Sequence, residues 1–266
     1  MPEMIKVVDL TKVFGTHKAV DGISFAVEPG EIFGLVGPNG AGKTTTLKML
    51  TTLLAPTSGQ ALIGGYDIVR QASEVRRLIG YVPQMLSVDG SLTGYENLLL
   101  FARLYDVPND QRNRRIWEVL SLLHLEDAAH SLVKTYSGGM IRRLEIGQAV
   151  LHFPKVLFLD EPTVGLDPVA RRNVWDHVKG LRDRYSTTIL VTTHYMEEAE
   201  NMCHRLAIMH LGRIAAIGTP EELKRRTNKD GATLEDAFAY FTGATMETGG
   251  TLRETARVRR TARRLG

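Results

Sequence analysis

The stretch from Gly37 to Thr44 constrains the fold of this chain more than any other. It reads Gly-Pro-Asn-Gly-Ala-Gly-Lys-Thr and fits the pattern G-x-x-x-x-G-K-[S/T]. An apolar strand is predicted just before it, from Glu31 to Val36, and a helix just after it, from Thr44 to Leu54. Glycines in such a turn let backbone N–H groups point at phosphate oxygens, and the helix adds its positive end. The alternative, a glycine-rich turn beside a solvated lysine, is disfavoured by this strand–turn–helix setting.

The residue types within the loop suit nucleoside triphosphate chemistry. Lys43 can reach the β- and γ-phosphates, and the hydroxyl of Thr44 can ligate Mg²⁺. We therefore predict that ATP and Mg²⁺ bind here. The predicted binding residues of this segment are Gly37, Pro38, Asn39, Gly40, Ala41, Gly42, Lys43, Thr44 and Thr45.

Two carboxylates directly follow a second apolar strand, predicted from Val156 to Leu159. Ligands of parallel α/β sheets bind beyond the carboxyl ends of the strands, so Asp160 and Glu161 are expected to face the phosphates. Asp160 is suited to hold Mg²⁺ through its water shell, and Glu161 to act as general base for the attacking water. A solvated acidic pair is the alternative. His194 also follows a buried strand, but a lone histidine is more often structural.

The pattern along the chain predicts an α/β fold with two additions. Alternating apolar residues in the first thirty positions predict antiparallel strands. Strand signals disappear between Ser87 and Val150, where a capping box of Thr93 and Glu96 and further amphipathic segments predict a helical lobe. The predicted domains are an ATPase domain over 1–222 with this lobe at about 87–150, a helical extension over 223–245 and a basic, disordered tail over 246–266.

Composition narrows the class and the location of the protein. The chain has 266 residues, 43% of them hydrophobic, and its apolar runs are too short to cross a bilayer. The lone Cys203 suits a reducing compartment and is expected to be a buried apolar residue.

The charge of the chain is unevenly distributed. Six Arg and one Glu fall in residues 251–266, a local charge of +5 within a net charge of +3. The basic character therefore belongs to the tail, and no nucleic-acid groove is expected in the folded part.

The segment Tyr136-Ser137-Gly138-Gly139-Met140 predicts a helix N-terminus with free N–H groups that can bind an anion. Such a site is surplus, because the phosphate loop already cradles a nucleotide. As an isolated pattern it is more often an ordinary helix cap. Taken together and in order, however, the motifs of this chain resemble those of the ATP-binding cassette (ABC) ATPases, from about Met4 to Leu223. These motifs are the phosphate loop, Gln84, Ser-Gly-Gly, Leu-Asp-Glu-Pro, Gly-Leu-Asp and His194.

The resemblance implies a P-loop NTPase core of the ABC type and assigns roles to further residues. Phe14 matches the aromatic residue that stacks on adenine. Gln84 matches the glutamine that senses Mg²⁺ and the attacking water and links the site to a membrane partner. His194 matches the switch histidine, which makes it catalytic together with Glu161, Gln84 and Lys43. The metal set implied is Thr44, Gln84 and Asp160.

The resemblance also implies that two ATP-binding subunits meet head to tail, most simply as a homodimer. Ser137, Gly138 and Gly139 match signature residues that close on the γ-phosphate of the opposite subunit, and Asp167 matches the loop that crosses the interface. Departures are small: Tyr136 stands where leucine is commoner, and Ile141 where a polar or basic residue is. We expect a competent hydrolase.

Three segments are similar to the drug-resistance exporter branch of this family, which includes daunorubicin exporters. They are Tyr136 to Glu145, Thr193 to Glu200 and Leu234 to Gly243. This resemblance implies an exporter-type ATPase that works with a separate membrane-spanning permease, bound peripherally at the cytoplasmic face of the cell membrane. The alternatives are a soluble ABC ATPase acting on ribosomes or DNA, and a non-enzymatic nucleotide-gated scaffold. The favoured interpretation of the arginine tail is a solvated extension with no specific partner. Contact with anionic lipid is the second interpretation, and a nucleic-acid contact is the least favoured.

Overall fold

The computed structural model of the chain describes residues 3–244, which fall into two compact units. The first, called the sheet unit, comprises the described chain up to Tyr81, Lys155–Glu161 and the described chain from Ser186 to residue 244. The second, called the helical unit, comprises Val82–Pro154 and Pro162–Tyr185. No helix among the described residues is both long and apolar enough to cross a membrane.

The sheet unit begins with an antiparallel sheet, as predicted. Its strand order is β2-β1-β4-β5, and Ile5 at the start of β1 lies opposite Val27 of β2 and Ile63 of β4. Buried apolar side chains alternate with exposed residues at the start of β1, so one face of this sheet packs into the core. The strands are β1 (Ile5–Phe14), β2 (His17–Val27), β4 (Ser58–Ile63) and β5 (Tyr66–Asp67).

A six-stranded sheet of order β10-β9-β3-β8-β7-β6 forms the rest of the core. β3 pairs in parallel with β8 and β9, β7 pairs in parallel with β8, and β10 is antiparallel to β9. Every residue of β3, β7 and β8 is buried, as expected for central parallel strands. The strands are β3 (Ile32–Val36), β6 (Ile79–Val82), β7 (Val156–Asp160), β8 (Thr188–Thr193), β9 (Arg205–His210) and β10 (Arg213–Gly218).

Short helices complete the sheet unit. They are α1 (Lys43–Leu50), α2 (Ala72–Leu78), α7 (Met196–Met202), α8 (Pro220–Arg225) and α9 (Leu234–Thr242). The ring of Phe25 on β2 stacks on that of Phe33 on β3, with centroids 5.4 Å apart, so the two sheets share one core. Cys203 is buried beside β3, where a Cβ on Gly34 would lie 2.9 Å from its Sγ.

The helical unit contains α3 (Gly94–Leu104), α4 (Asn109–Leu122), α5 (Gly138–Val150) and α6 (Pro168–Tyr185). α3 begins with the predicted capping box, in which the side chains of Thr93 and Glu96 each accept a hydrogen bond from the other's backbone N–H. The lobe predicted at 87–150 lies inside this unit, which also contains α6. The domain boundaries at 222 and 245 stay predictions, and the tail 246–266 lies outside the described residues.

The structure differs from the sequence predictions in two places. The helix after the phosphate loop runs from Lys43 to Leu50 rather than from Thr44 to Leu54, because the backbone turns at Thr52 with φ of 62°. β4, β5, α2 and β6 had not been predicted. The first three residues of β4 are exposed, and α2 buries only Val75, so neither segment carries a clear apolar period.

Candidate active site

The phosphate loop connects the carboxyl end of β3 to the start of α1 and is packed tightly against its neighbours in the sheet unit. A Cβ on Gly37 would lie 2.1 Å from the carbonyl oxygen of Met209. Gly42 has φ of 102°, and a Cβ there would lie 2.4 Å from the carbonyl oxygen of Ala19. Only glycine fits these two positions, whereas Asn39 and Gly40 are exposed at the crest of the loop.

Lys43 folds its side chain back over this loop. Its Nζ donates to the carbonyl oxygens of Gly37 at 2.7 Å and Pro38 at 3.1 Å, and lies 3.3 Å from Oε1 of Glu161. The side chain is 4% exposed, and burial lowers the pKa of Lys43 although Glu161 acts in the opposite direction. A poorly solvated ammonium in this position is stabilised by any anion that reaches it, such as a phosphate.

Asp160, the last residue of β7, is held by two threonine hydroxyl groups. Its Oδ1 accepts from Oγ1 of Thr44 at 3.1 Å and from Oγ1 of Thr192 at 2.6 Å. Its Oδ2 is buried and has no hydrogen-bond partner within the described part of the chain. Burial raises the pKa of Asp160, and the two hydroxyl groups oppose this rise.

These donors fit a Mg²⁺ ion. The Thr44 hydroxyl and the Asp160 carboxylate are oxygen donors on neighbouring elements, and Mg²⁺ prefers a small number of such ligands combined with water and phosphate oxygens. A buried carboxylate oxygen without a partner is costly unless it meets a cation or a polar ligand. Thr44 and Asp160 are therefore suited to hold the ion, and their role as metal ligands stays a prediction.

Glu161 follows Asp160 in a strained backbone conformation, with φ of 48°. Its N–H donates to the backbone oxygen of Thr192 at 3.1 Å and to its Oγ1 at 3.0 Å, which fixes the carboxylate beyond the end of β7. Burial raises the pKa of Glu161, but His194 and Lys43 outweigh that effect and the net shift is downward. The side chain is therefore ionised at neutral pH and can accept a proton from water.

His194 comes directly after β8, and its Nδ1 lies 3.3 Å from Oε1 of Glu161. Its ring packs against that of Tyr195, with centroids 4.2 Å apart. The structure therefore brings His194 to the same carboxylate oxygen as Lys43. The sheet unit gathers Lys43, Thr44, Asp160, Glu161 and His194 at the carboxyl ends of β3, β7 and β8.

Thr192 was missed by the sequence predictions, although it contacts both acids. Its hydroxyl donates to Asp160 and accepts from the N–H of Glu161. The available signal was weak: a polar residue near the end of the otherwise apolar strand β8, in a register directly opposite Asp160.

Phe14, predicted to stack on adenine, lies at the end of β1 with 49% of its surface exposed, and Nζ of Lys12 is 5.2 Å from its ring centroid.

The helical unit holds the predicted signature segment. Ser137 is the N-cap of α5, where its Oγ accepts from the N–H of Met140 at 3.3 Å. Ser137 and Gly138 are exposed, whereas Gly139 is buried and a Cβ there would lie 2.9 Å from Cβ of Ala170. The exposed helix start keeps its N–H groups accessible to an anion.

Two further predicted site residues lie in the helical unit. Asp167 precedes α6, and its Oδ1 accepts from the N–H groups of Val169 at 3.0 Å and Ala170 at 2.9 Å, so within one chain it caps this helix. Gln84 follows β6 and is exposed. Its predicted role at the metal stays a prediction, as do the individual roles of the other site residues.

Known proteins are similar to this chain over most of its length. A family described as ABC transporter matches residues 20–164. The linearmycin resistance ATP-binding protein of Bacillus subtilis is 40% identical over 85% of this chain and 73% of its own length. The daunorubicin/doxorubicin resistance ATP-binding protein of Streptomyces peucetius is 46% identical over 81% of this chain and 65% of its own length.

A solved structure described as the ATP-binding subunit of an ABC transporter is 31% identical, with a TM-score of 0.79 over 90% of this chain and 99% of that chain. The Nod factor export ATP-binding protein I of Cupriavidus metallidurans is 42% identical over 84% of this chain and 73% of its own length. These matches confirm the predicted fold class and the predicted resemblance.

Proposed function

The chain belongs to the ABC transporter family of ATP-hydrolysing proteins, and we propose that it energises an exporter through a separate membrane-spanning subunit. The observation that carries the proposal is the convergence of Lys43, Asp160, Glu161 and His194 at one edge of the sheet unit. The direction of transport is supported by the relatives, which are named as resistance or export proteins. A role on ribosomes or DNA finds no such support.

In the proposed reaction, the backbone N–H groups of the phosphate loop and the ammonium of Lys43 bind the β- and γ-phosphates. Thr44 and Asp160 would hold Mg²⁺, which would neutralise charge that develops on the phosphate oxygens. As the water oxygen bonds to the γ-phosphorus, Glu161 accepts a proton from that water. The bond between the γ-phosphorus and the β,γ-bridging oxygen breaks, so ADP and inorganic phosphate are the products. His194 orients the Glu161 carboxylate through their contact of 3.3 Å.

Two chains are needed for a complete site in this proposal. The exposed N-terminus of α5, with Ser137 and Gly138, would close on the γ-phosphate bound by a second copy of the chain. A head-to-tail homodimer satisfies this with one kind of interface, because each copy then completes the site of the other. Asp167, at the start of α6, is placed at the proposed interface.

Gln84 is proposed to contact Mg²⁺ and the attacking water and to link the site to the permease. This assignment places the protein peripherally at the cytoplasmic face of the cell membrane. Of the readings of the arginine-rich tail, contact with anionic lipid suits such a location best. No nucleic-acid partner is proposed.

The proposal is tested by measuring Mg²⁺-dependent ATP hydrolysis by the purified chain and by capturing partners from native membranes. We expect hydrolysis and co-purification of a membrane-spanning protein whose presence changes the rate. Hydrolysis without any membrane partner, together with salt-sensitive co-sedimentation with ribosomes, would contradict the exporter assignment. Absence of hydrolysis with intact ATP binding would favour the nucleotide-gated scaffold instead.

A further inference from the structure

Helix α5 carries three polar side chains that are almost completely buried within the helical unit. Arg142, Glu145 and Gln148 are 4%, 2% and 2% exposed and follow one another at intervals of three residues. This spacing puts them along one side of the helix, where a core-facing helix normally carries apolar residues. Most buried polar groups are hydrogen-bonded, so the hydrogen-bond partners of this stripe indicate its purpose.

Arg142 binds two segments that are distant in sequence. Its Nε donates to the carbonyl oxygen of Pro162 at 2.7 Å, and its Nη1 donates to that of Pro83 at 2.8 Å. Pro162 follows Glu161 directly in the chain, and Pro83 precedes Gln84. One guanidinium therefore fixes the backbone beside two predicted catalytic residues.

Glu145 completes the attachment of the Gln84 segment. Its Oε2 lies 3.0 Å from Nη1 of Arg142, and its Oε1 accepts from the N–H of Ser87 at 2.6 Å and from the Ser87 hydroxyl at 3.1 Å. The stretch 83–87, which contains Gln84, is thus held at both ends by a single ion pair on α5.

Gln148 extends the same attachment by one further step. Its Nε2 donates to Oδ1 of Asn97 at 3.2 Å, and that oxygen also accepts from the N–H of Asp89 at 3.0 Å. Nδ2 of Asn97 donates to the carbonyl oxygen of Asp89 at 2.9 Å. The irregular segment that carries Gln84 is therefore bound through side chains rather than through a strand or a helix.

We propose that Arg142 and Glu145 are positioning residues for ATP turnover, which hold the Gln84 segment and the Pro162 carbonyl against α5. The inference rests on the proposed function and deepens it. Because a buried ion pair adds little net stability compared with apolar residues of similar volume, bulk stability does not explain the pair. Its fixed geometry instead makes the Gln84 segment and α5 move as one body, so that a shift at one is passed to the other.

A spin label at position 85 tests the positioning without reference to activity. Met85 is 69% exposed next to Gln84, so a cysteine introduced by Met85→Cys can be labelled. The unmodified chain, which carries the buried Cys203, gives the background labelling. We expect Arg142→Met and Glu145→Gln to increase the mobility of this label. Arg143→Met is the matched control, since Arg143 lies on the same helix but its Nη1 donates to the carbonyl oxygens of Leu123 and His124. Label mobility in Arg142→Met equal to that of the control would overturn the proposal.

The kinetic test separates positioning from nucleotide affinity. In Arg142→Met and Glu145→Gln we expect kcat for ATP to fall about tenfold while KM stays within about twofold, because a small misplacement of a catalytic group acts mainly on turnover. Arg142→Lys restores charge but not the forked geometry and is expected to rescue kcat only in part. An equal loss of kcat in Arg143→Met, or unchanged kcat in folded Arg142→Met, would contradict the assignment.

The two readouts distinguish failure of this inference from failure of the proposed function. If the unmodified chain does not hydrolyse ATP, the proposed function fails, and label mobility alone then decides whether the pair positions the segment. If the unmodified chain is active and both readouts are unchanged in the variants, the inference fails alone. Should Arg142→Met not fold, the isosteric Glu145→Gln provides both measurements.

Discussion

The ammonium of Lys43 and the carboxylate of Glu161 lie 3.3 Å apart, and the same carboxylate oxygen lies 3.3 Å from Nδ1 of His194. The group proposed to bind the γ-phosphate is therefore in contact with the group proposed to activate water. When phosphate oxygens engage Lys43, they compete with Glu161 for its positive charge. We expect the pKa of Glu161 to rise as a result, which makes it a better base when ATP is bound.

Glu161→Gln removes the proposed base and keeps the shape of the side chain. We expect the ATPase rate to fall by at least about 100-fold, because a positioned general base contributes roughly 10²–10⁴ in rate. ATP binding persists, since Lys43 and the phosphate loop are unchanged, and a stable ATP-bound dimer accumulates. Single-turnover hydrolysis and size-exclusion chromatography with ATP measure the two effects.

The control for this change is Glu197→Gln, an exposed acid on α7 of the same unit. It is expected to hydrolyse ATP at the unmodified rate. A Glu161→Gln chain that retains more than about a tenth of the activity would show that another group takes the proton.

Asp160→Asn is expected to stabilise the chain in the absence of ATP and to abolish the response to Mg²⁺. Burial raises the pKa of Asp160, so the folded state prefers the neutral carboxyl. The neutral carboxyl of Asp160 stabilises the folded state relative to its ionised form. This contribution is fully present below the ordinary aspartate pKa of about 4 and is lost as the pH rises through the raised pKa of Asp160. At pH 7 the ionised side chain therefore costs stability, which the neutral amide avoids.

Thermal unfolding as a function of pH checks this sign. We expect the Tm of Asp160→Asn to exceed that of the unmodified chain by about 2–4 °C at pH 7, which corresponds to about 1 kcal/mol. The difference should shrink as the pH falls towards 4. Asp230→Asn, at an exposed site of the same unit, provides the control. A lower Tm for Asp160→Asn at pH 7 would show that its hydrogen bonds outweigh the burial of charge.

Tyr136 and Gly94 are expected to be energetically coupled. Oη of Tyr136 donates to the carbonyl oxygen of Ala128 at 2.6 Å, and a Cβ on Gly94 would lie 2.3 Å from the same Oη. Tyr136→Phe should cost about 1 kcal/mol through the lost hydrogen bond, and Gly94→Ala should cost more because of the clash.

A double-mutant cycle by urea unfolding measures the coupling. In the double variant the clash with the hydroxyl is gone, so its free energy of unfolding should exceed that predicted by adding the two single losses. Strict additivity would mean that the helix start at Gly94 moves away from Tyr136 without cost.

The positions of many candidate site residues could be predicted from the sequence because the signals are local, while their roles stay predictions. A few neighbouring residues are enough to predict the tight turns at Gly37 and Gly42, the cap at Thr93 and the two acids at the end of β7, and the structure places these residues accordingly. The contacts of Arg142 could not be predicted in this way. Its two backbone partners lie 20 and 59 residues away, and a charged residue on an amphipathic helix is normally assigned to the solvent face.

The four elements missed between Leu54 and Gln84 illustrate the other limit. Ser58, Gly59 and Gln60 at the start of β4 are exposed and have low intrinsic strand propensity. The residues of β4 therefore gain their strand conformation from pairing with β1. β5 has two residues and depends on β4 for its hydrogen bonds. Tertiary context decides such segments, whereas the buried strands β3, β7 and β8 are recognisable from composition alone.

The proposed closure in trans predicts complementation between two inactive chains. Lys43→Ala damages phosphate binding in its own chain, and Ser137→Arg blocks the γ-phosphate of the opposite chain. In a mixed dimer one composite site carries both defects and the other carries neither. With random pairing of equal amounts, half of the dimers are mixed, so we expect about a quarter of the unmodified ATPase rate where either chain alone is inactive.

Two controls make this experiment decisive. Ser137→Ala removes the hydrogen bond to the Met140 N–H without adding bulk, so on its own it should lower stability by about 1 kcal/mol and retain more activity than Ser137→Arg. Mixing the unmodified chain with Glu161→Gln shows whether a dimer with one hydrolytic site turns over. If it does, and the Lys43→Ala and Ser137→Arg mixture stays inactive, Ser137 acts within its own chain and the head-to-tail dimer is wrong.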